Sequence, residues 1–204
     1  MSLRAAEPDS PRSSSRTAPP RSTAANPSLN PQILAYAGIW ALPSRLAARL
    51  SADTAASILG VGNPALLGEP LLGLIASREC PGHVLLETLD RVPEWVKAGR
   101  VILSGFHSPL EQQVLRSVLR RRGCVVKVLA RGMTDYRPTA EERESLADGR
   151  ILVITACPPE VRRTTRDTAL ARNRLVLALA SEIITPYVAD GSALADLLNG
   201  RRDA

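Results

Sequence analysis

The sequence predicts an α/β protein with a Rossmann-like three-layer fold, in which helices cover both faces of a mostly parallel sheet of about five or more strands. From Leu71 onward, short apolar runs alternate with helical patterns, and this alternation gives parallel strands joined by crossover helices. The apolar fraction of 45% is sufficient for a core, which must consist of Leu, Val, Ile and Ala because aromatic residues make up only 3%. We therefore expect one domain of ordinary size.

Two segments precede this domain. Residues 1–30 are mainly Ser, Pro, Ala, Arg and Thr, which cannot bury enough apolar surface to offset the entropy of ordering, so we predict a disordered tail. Residues 31–67 contain two short helical patterns and are predicted to form a helical lead-in. The second pattern follows the capping residue Ser51 and ends at a turn formed by Gly60, Gly62, Asn63 and Pro64. Residues 68–204 form the predicted Rossmann-type domain.

The elements of that domain follow from apolar runs bounded by turn residues, which predict strands, and from helical spacing of apolar residues, which predicts helices. Pro93 is expected to bend or break the first helix. In chain order, the strands are Leu71–Ala76, Arg100–Leu103, Cys124–Leu129, Ile151–Thr155 and Glu182–Val188. The helices are Val84–Ala98, Pro109–Arg122, Thr139–Ala147, one within Val161–Ser181, and Ser192–Leu198.

Ligands of such sheets bind outside the carboxyl ends of the strands, where the predicted loops carry small, hydroxyl and basic residues. Gly105 and Gly191 permit close approach of backbone N–H groups to an anion. Each loop alone is also consistent with ordinary turn chemistry, so the prediction depends on several loops meeting at one edge. The predicted nucleic-acid or phosphate-binding residues are Ser77, Arg78, Ser104, Gly105, Phe106, His107, Ser108, Arg162, Arg163, Arg166, Arg172, Asn173, Arg174, Asp190, Gly191 and Ser192.

The helix within Val161–Ser181 has a basic start and an apolar end that Arg172 and Arg174 interrupt. Their stems could cover the edge of the core while their heads reach water. Alternatively, they could bind an anion such as phosphate, which a guanidinium grips through two parallel hydrogen bonds. Side chains two positions apart on a helix project in directions about 200° apart. We therefore predict that only one of these arginines reaches the strand-end ligand and that the other chiefly affects stability.

Phe106 and His107 each have two interpretations. The Phe106 ring could stack on a base or fill the core beside the sheet edge. His107, with Ser104 or Ser108 beside it, could carry out acid–base chemistry, but ligand contact or turn structure is favoured because no carboxylate is spaced to orient the imidazole. Glu111 could be that carboxylate or belong to a solvated helix face. We assign no catalytic residue, and we favour a binding protein over an enzyme.

No cofactor or metal site is predicted. Cys80, Cys124 and Cys157 lack the spacing of a zinc or redox site and are typical of buried thiols in a reducing cytoplasm. No segment is apolar enough to cross a bilayer, and no signal sequence is evident, so we expect a cytoplasmic protein without a membrane partner. The net charge of +6 favours a polyanionic partner such as nucleic acid.

Four stretches resemble the DNA-processing protein A (DprA/Smf) family, a Rossmann-type family of the SLOG superfamily. They are LLGLIASRE from Leu71, VILSGFHSPLEQQVL from Val101, ALARNRLVLALAS from Ala169 and VADGSAL from Val188. The Arg-Asn-Arg of the third stretch is the most specific match. The resemblance implies an extended Rossmann-type domain that binds single-stranded DNA, forms a homodimer and assists a recombinase in DNA recombination.

The sequence also departs from that family. Ser108-Pro109-Leu110-Glu111 stands where the family has Gly-Ile-Asp, and no winged-helix domain is expected after Ala204. These departures argue against a recombinase partner and indicate a short, divergent member. Single-stranded DNA or a nucleotide is the expected ligand. The alternative function is a small nucleotide-sensing or nucleotide-hydrolysing domain.

Overall fold

The computed structural model describes residues 42–202, with side chains over residues 42–200. The predicted tail of residues 1–30 and the first part of the lead-in, residues 31–41, lie outside the described residues. Two short helices, α1 (Ser44–Ala47) and α2 (Ala52–Ser57), open the described part of the lead-in. Ser51 caps α2 as predicted, because its side chain accepts a hydrogen bond from the Thr54 N–H.

A six-stranded sheet forms the centre of the domain. Its strands are β1 (Leu59–Gly62), β2 (Leu71–Leu74), β3 (Val101–Ser104), β4 (Cys124–Val128), β5 (Ile151–Thr155) and β6 (Glu182–Ile184), in the spatial order β1-β5-β4-β3-β2-β6. Strands β2 to β6 are parallel, and β1 pairs antiparallel with β5 at one edge. The strand order reverses at β2, since β3, β4 and β5 lie on one side of it and β6 lies on the other.

Helices cover both faces of the sheet. They are α3 (Gly82–Lys97), α4 (Pro109–Arg120), α5 (Ala140–Ala147), α6 (Arg166–Leu179) and α7 (Ala193–Arg202), and a 3-10 turn spans Pro64–Gly68. Successive strand residues point to opposite faces, so Leu71 packs in the core under α6 and Leu72 in the core under α3 and α4. The predicted mostly parallel three-layer fold is therefore confirmed.

Strand β1 was not predicted. The sequence indicated a turn at Gly60 to Pro64, but Leu59–Gly62 form a strand that pairs with β5, with Leu59 opposite Thr155. Gly62 is required there because its φ is +111° and a Cβ would lie 2.2 Å from the Ile151 carbonyl oxygen. Two glycines in a four-residue strand obscure the alternation that normally identifies one.

Pro93 does not interrupt α3, which continues from Gly82 to Lys97. The prediction of a break was therefore wrong. The Pro93 side chain is exposed, while Val92 and Trp95 beside it are buried in the core under the helix. Packing of those two neighbours holds the helix together across the missing N–H donor.

Candidate functional site at the strand carboxyl ends

A buried carboxylate organises the loop between β3 and α4. Glu111 is only 3% exposed, and its Oε1 accepts a hydrogen bond from the Ala76 N–H at 3.0 Å. Its Oε2 accepts from the N–H groups of His107 at 2.7 Å and Ser108 at 3.1 Å. Glu111 thus joins the end of β2 to the β3–α4 loop, and the interpretation of this residue as part of a solvated helix face is wrong. The Ser-x-x-Glu capping box of α4 was a sequence signal that could have identified it.

Arg172 of α6 lies directly over Gly105 at the end of β3. A Cβ on Gly105 would be 2.5 Å from the Arg172 Nε and 2.7 Å from its Cζ, so the loop accepts only glycine while the guanidinium stays in place. Arg172 is 9% exposed, and its Nε and Nη2 donate to the Asn173 Oδ1 at 3.1 and 2.9 Å. Among residues 42–200 it makes no ion pair with a carboxylate.

The exposed His107 lies between two arginines. Its Nε2 is 3.4 Å from the Arg78 Nη2. Burial lowers the pKa of His107 below its ordinary value, the positive charges of Arg172 and Arg78 lower it further, and Glu111 opposes them in part. The positive charge of the two arginines, rather than the burial, is what would favour an anion here, and planar guanidinium groups suit phosphate oxygens.

Ser77 connects this region to the loop before α7. Its Oγ accepts a hydrogen bond from the Ala189 N–H at 2.9 Å, and its own N–H donates to the Tyr187 carbonyl oxygen at 3.0 Å. In the same loop, Gly191 has a φ of +62°, and the Ser192 Oγ accepts from the Ala195 N–H at 3.1 Å in the first turn of α7. We use the name strand-end cluster for the group formed by Ser77, Arg78, Gly105, His107, Arg172 and Asn173.

Three predicted site residues of the β3–α4 loop instead face the protein interior. Phe106 is 5% exposed and belongs to the core under α3 and α4, so the core interpretation of its ring is correct and the stacking interpretation is not. Ser104 is fully buried, and its Oγ accepts from the Phe106 N–H at 3.1 Å. Ser108 is 4% exposed and caps α4. Phe106 also has a positive φ of +47°, which is uncommon for a residue other than glycine.

The remaining predicted arginines do not join the strand-end cluster. Arg162 is exposed, with its Nε 3.9 Å from the Asp135 Oδ2, and Arg163 is also exposed. Arg166 and Arg174 line a separate groove of about 870 Å³ between α6 and α7, together with Arg49 of the lead-in. We call this the α6–α7 groove. Arg49 could not have been predicted to lie there, because it is distant from α6 in sequence and no local motif surrounds it.

Within residues 42–200, no group of three or more His, Cys, Asp or Glu side chains is arranged to hold a metal ion. Among the helices in the described part of the chain, none has both the length and the apolar character needed to cross a membrane.

Comparisons with known proteins identify a family and a fold. Residues 40–192 match the family model described as DNA recombination-mediator protein A. The DNA processing protein A from Streptococcus pneumoniae superposes with a TM-score of 0.63 at 21% identity, covering 79% of this chain and 56% of that protein. The DNA processing protein A from Helicobacter pylori, which binds single-stranded DNA, superposes with a TM-score of 0.57 at 22% identity, covering 71% of this chain and 68% of that protein.

At these identities the two structures establish a shared fold. The chain spans little more than half the length of the S. pneumoniae protein. No curated protein matches the sequence.

Proposed function

The chain belongs to the DNA recombination-mediator protein A family, and we propose that it binds single-stranded DNA by holding a backbone phosphate at the strand-end cluster. The observation that carries the proposal is the Arg172 guanidinium. It is almost completely buried and it stacks over Gly105. It makes no ion pair among the described residues, and the charge of Glu111 opposes only in part the effect of burial, which lowers the pKa of Arg172. A buried cation without an ionic partner costs desolvation energy, and a phosphate oxygen would offset that cost.

The neighbouring groups support a phosphodiester as the ligand. Arg78 contacts the exposed His107 ring, and the charges of both Arg78 and Arg172 act on that ring. Guanidinium groups bind phosphate more strongly than neutral donors do. Phe106, the phenylalanine of this loop, is buried and cannot stack on a base, so the arginines are the main expected source of affinity. Binding should therefore depend on backbone charge and discriminate little among bases.

Fluorescence anisotropy with a labelled oligothymidylate tests this proposal. We expect saturable binding, and the logarithm of the affinity should fall linearly with the logarithm of the salt concentration, by about 0.7 per phosphate neutralised. The double variant Arg116→Ala/Arg120→Ala on α4 should bind the oligothymidylate as the wild type does, because both residues are exposed and α4 covers the face of the sheet opposite α6.

A nucleotide-sensing protein would behave differently. It would show a saturable rise in melting temperature with thymidine monophosphate and no gain in affinity with a longer chain. No binding of the oligothymidylate at low salt, with the protein folded, would overturn the proposal.

A further inference from the structure

Helix α6 presents its arginines to two different sides. Residues four apart on a helix lie on one face, and Arg166, Leu170, Arg174 and Ala178 form such a stripe facing α7. Arg172 lies between two members of this stripe in sequence but projects to the strand-end cluster. The α6–α7 groove is therefore a second basic surface with its own lining.

The lining of the α6–α7 groove has an excess of positive charge. Among the described residues, the lining includes Arg49, Arg166 and Arg174, with Asp196 as its one acidic side chain. Arg49 is fixed in position because its Nη1 donates to the Ala180 carbonyl oxygen at 3.0 Å. Arg166 and Arg174 are exposed and form no ion pair with any described residue, so both guanidinium groups are available to a ligand.

The groove begins close to the strand carboxyl ends. Arg166 is the first residue of α6 and follows the loop after β5, whereas Ala180 and Ser181 line the other end, where the Ser181 N–H bonds to the Leu71 carbonyl oxygen at the start of β2. Arg166 and Arg174 are separated by about 12 Å along the helix axis at 1.5 Å per residue. A chain leaving the strand carboxyl ends at Arg166 could follow this stripe.

We propose that the α6–α7 groove binds a further stretch of the single-stranded DNA backbone, with Arg166, Arg174 and Arg49 contacting phosphates. The inference rests on the proposed function of the strand-end cluster. Within residues 42–200, no aromatic side chain lines the groove, so contacts should be made to phosphates rather than to stacked bases, and they should be independent of sequence and sensitive to salt.

The test compares oligothymidylates of about 4 and about 16 nucleotides, the range of single-strand site sizes. For Arg166→Ala/Arg174→Ala we expect at least a tenfold loss of affinity for the long oligonucleotide and no change for the short one. The salt slope for the long oligonucleotide should decrease by about 1.4, which is 0.7 for each of two phosphates. Arg116→Ala/Arg120→Ala, which removes the same charge from α4, should bind both lengths as the wild type does.

The outcomes separate this inference from the proposed function. If the wild type binds neither length, the proposed function fails, and the groove inference fails with it. If the wild type binds both and Arg166→Ala/Arg174→Ala binds the long oligonucleotide equally well, or loses no more affinity than the α4 control does, only the groove inference is overturned. Its aliphatic floor of Leu170, Leu177 and Leu197 would then favour an acidic amphipathic helix of a partner protein. Equal melting temperatures would confirm that each variant is folded.

Discussion

The strand-end cluster and the α6–α7 groove use the same type of side chain from the same helix in different physical ways. Arg172 is buried against Gly105 and oriented by Asn173, so its desolvation is complete before a ligand arrives. Arg174, two residues later, is exposed and has no ion pair among the described residues. A preorganised, desolvated cation contributes strongly and locally to binding, whereas an exposed one contributes a weaker attraction that salt screens. Position on the helix, rather than residue type, decides the role.

The largest expected effect concerns the carboxylate that builds the strand-end cluster. Glu111→Ala leaves the N–H groups of Ala76, His107 and Ser108 without their acceptor. We expect the free energy of unfolding to fall by about 3–5 kcal/mol, since each unsatisfied buried donor costs about 1–3 kcal/mol. Urea denaturation measures this. Glu87→Ala on the exposed face of α3 should change stability by no more than about 0.5 kcal/mol, and similar losses for the two variants would disprove the organising role of Glu111.

The next largest effect distinguishes Arg172 from Arg174 by their contributions to affinity. Arg172→Ala should reduce the affinity for a short oligothymidylate by about 1.5–3 kcal/mol, the range for a hydrogen bond to a charged group. Arg174→Ala should leave that affinity almost unchanged, because its side chain faces the α6–α7 groove. Anisotropy measures both. The sequence predicted that the arginine outside the strand-end cluster would chiefly affect stability. Because Arg174 is exposed, we expect instead that its removal leaves the melting temperature nearly unchanged. Equal losses of affinity would remove the distinction between the two surfaces.

Gly105→Ala tests the contact between the loop and the guanidinium. The new methyl group would overlap the Arg172 side chain, so the guanidinium must move away from its preorganised position over the loop. We therefore expect about a tenfold loss of affinity for the short oligothymidylate, equivalent to about 1.4 kcal/mol, with a small change in melting temperature. Gly82→Ala at the start of α3 has open space around the added methyl group and should bind normally. Normal binding by Gly105→Ala would show that the position of Arg172 over the loop is unimportant.

The smallest effect is a dependence on pH. The pKa of His107 is lowered by burial and by Arg172 and Arg78, with Glu111 opposing. A bound phosphate counteracts the charge of the two arginines and raises the pKa of His107, so binding takes up a proton. Affinity should therefore increase as the pH falls from the pKa of the bound form towards the lower pKa of the free form, by at most about tenfold per pH unit. His107→Asn should flatten the pH profile. An unchanged profile would place the phosphate away from this ring.

The effect of pH on the stability of the free protein has the opposite sign to its effect on binding affinity. Because the folded pKa of His107 is lowered, the unfolded chain takes up the proton more readily, and this residue reduces stability as the pH falls below the unfolded value. Thermal denaturation of wild type and His107→Asn across that range would separate the effect on folding from the effect on binding.

The sequence was sufficient for the α/β class and for the positions of five of the six described strands, because apolar runs and turn residues report local structure directly. It was not sufficient for every strand end, since β6 ends at Ile184 and not at the predicted Val188. Helical geometry also predicted that Arg172 and Arg174 diverge. The contact of Arg172 with Gly105 could not be predicted, since it depends on how α6 crosses the sheet. The burial of Phe106 could not be predicted either, because a single loop residue carries no periodicity that indicates whether its side chain faces the core.

The most direct test is an experimental structure of the protein with a short oligothymidylate bound. We predict a backbone phosphate that accepts hydrogen bonds from the Arg172 guanidinium and lies beside His107 and Arg78, with Glu111 still holding the β3–α4 loop. An oligonucleotide bound elsewhere, with no phosphate within hydrogen-bond distance of Arg172, would contradict the proposed function of the strand-end cluster.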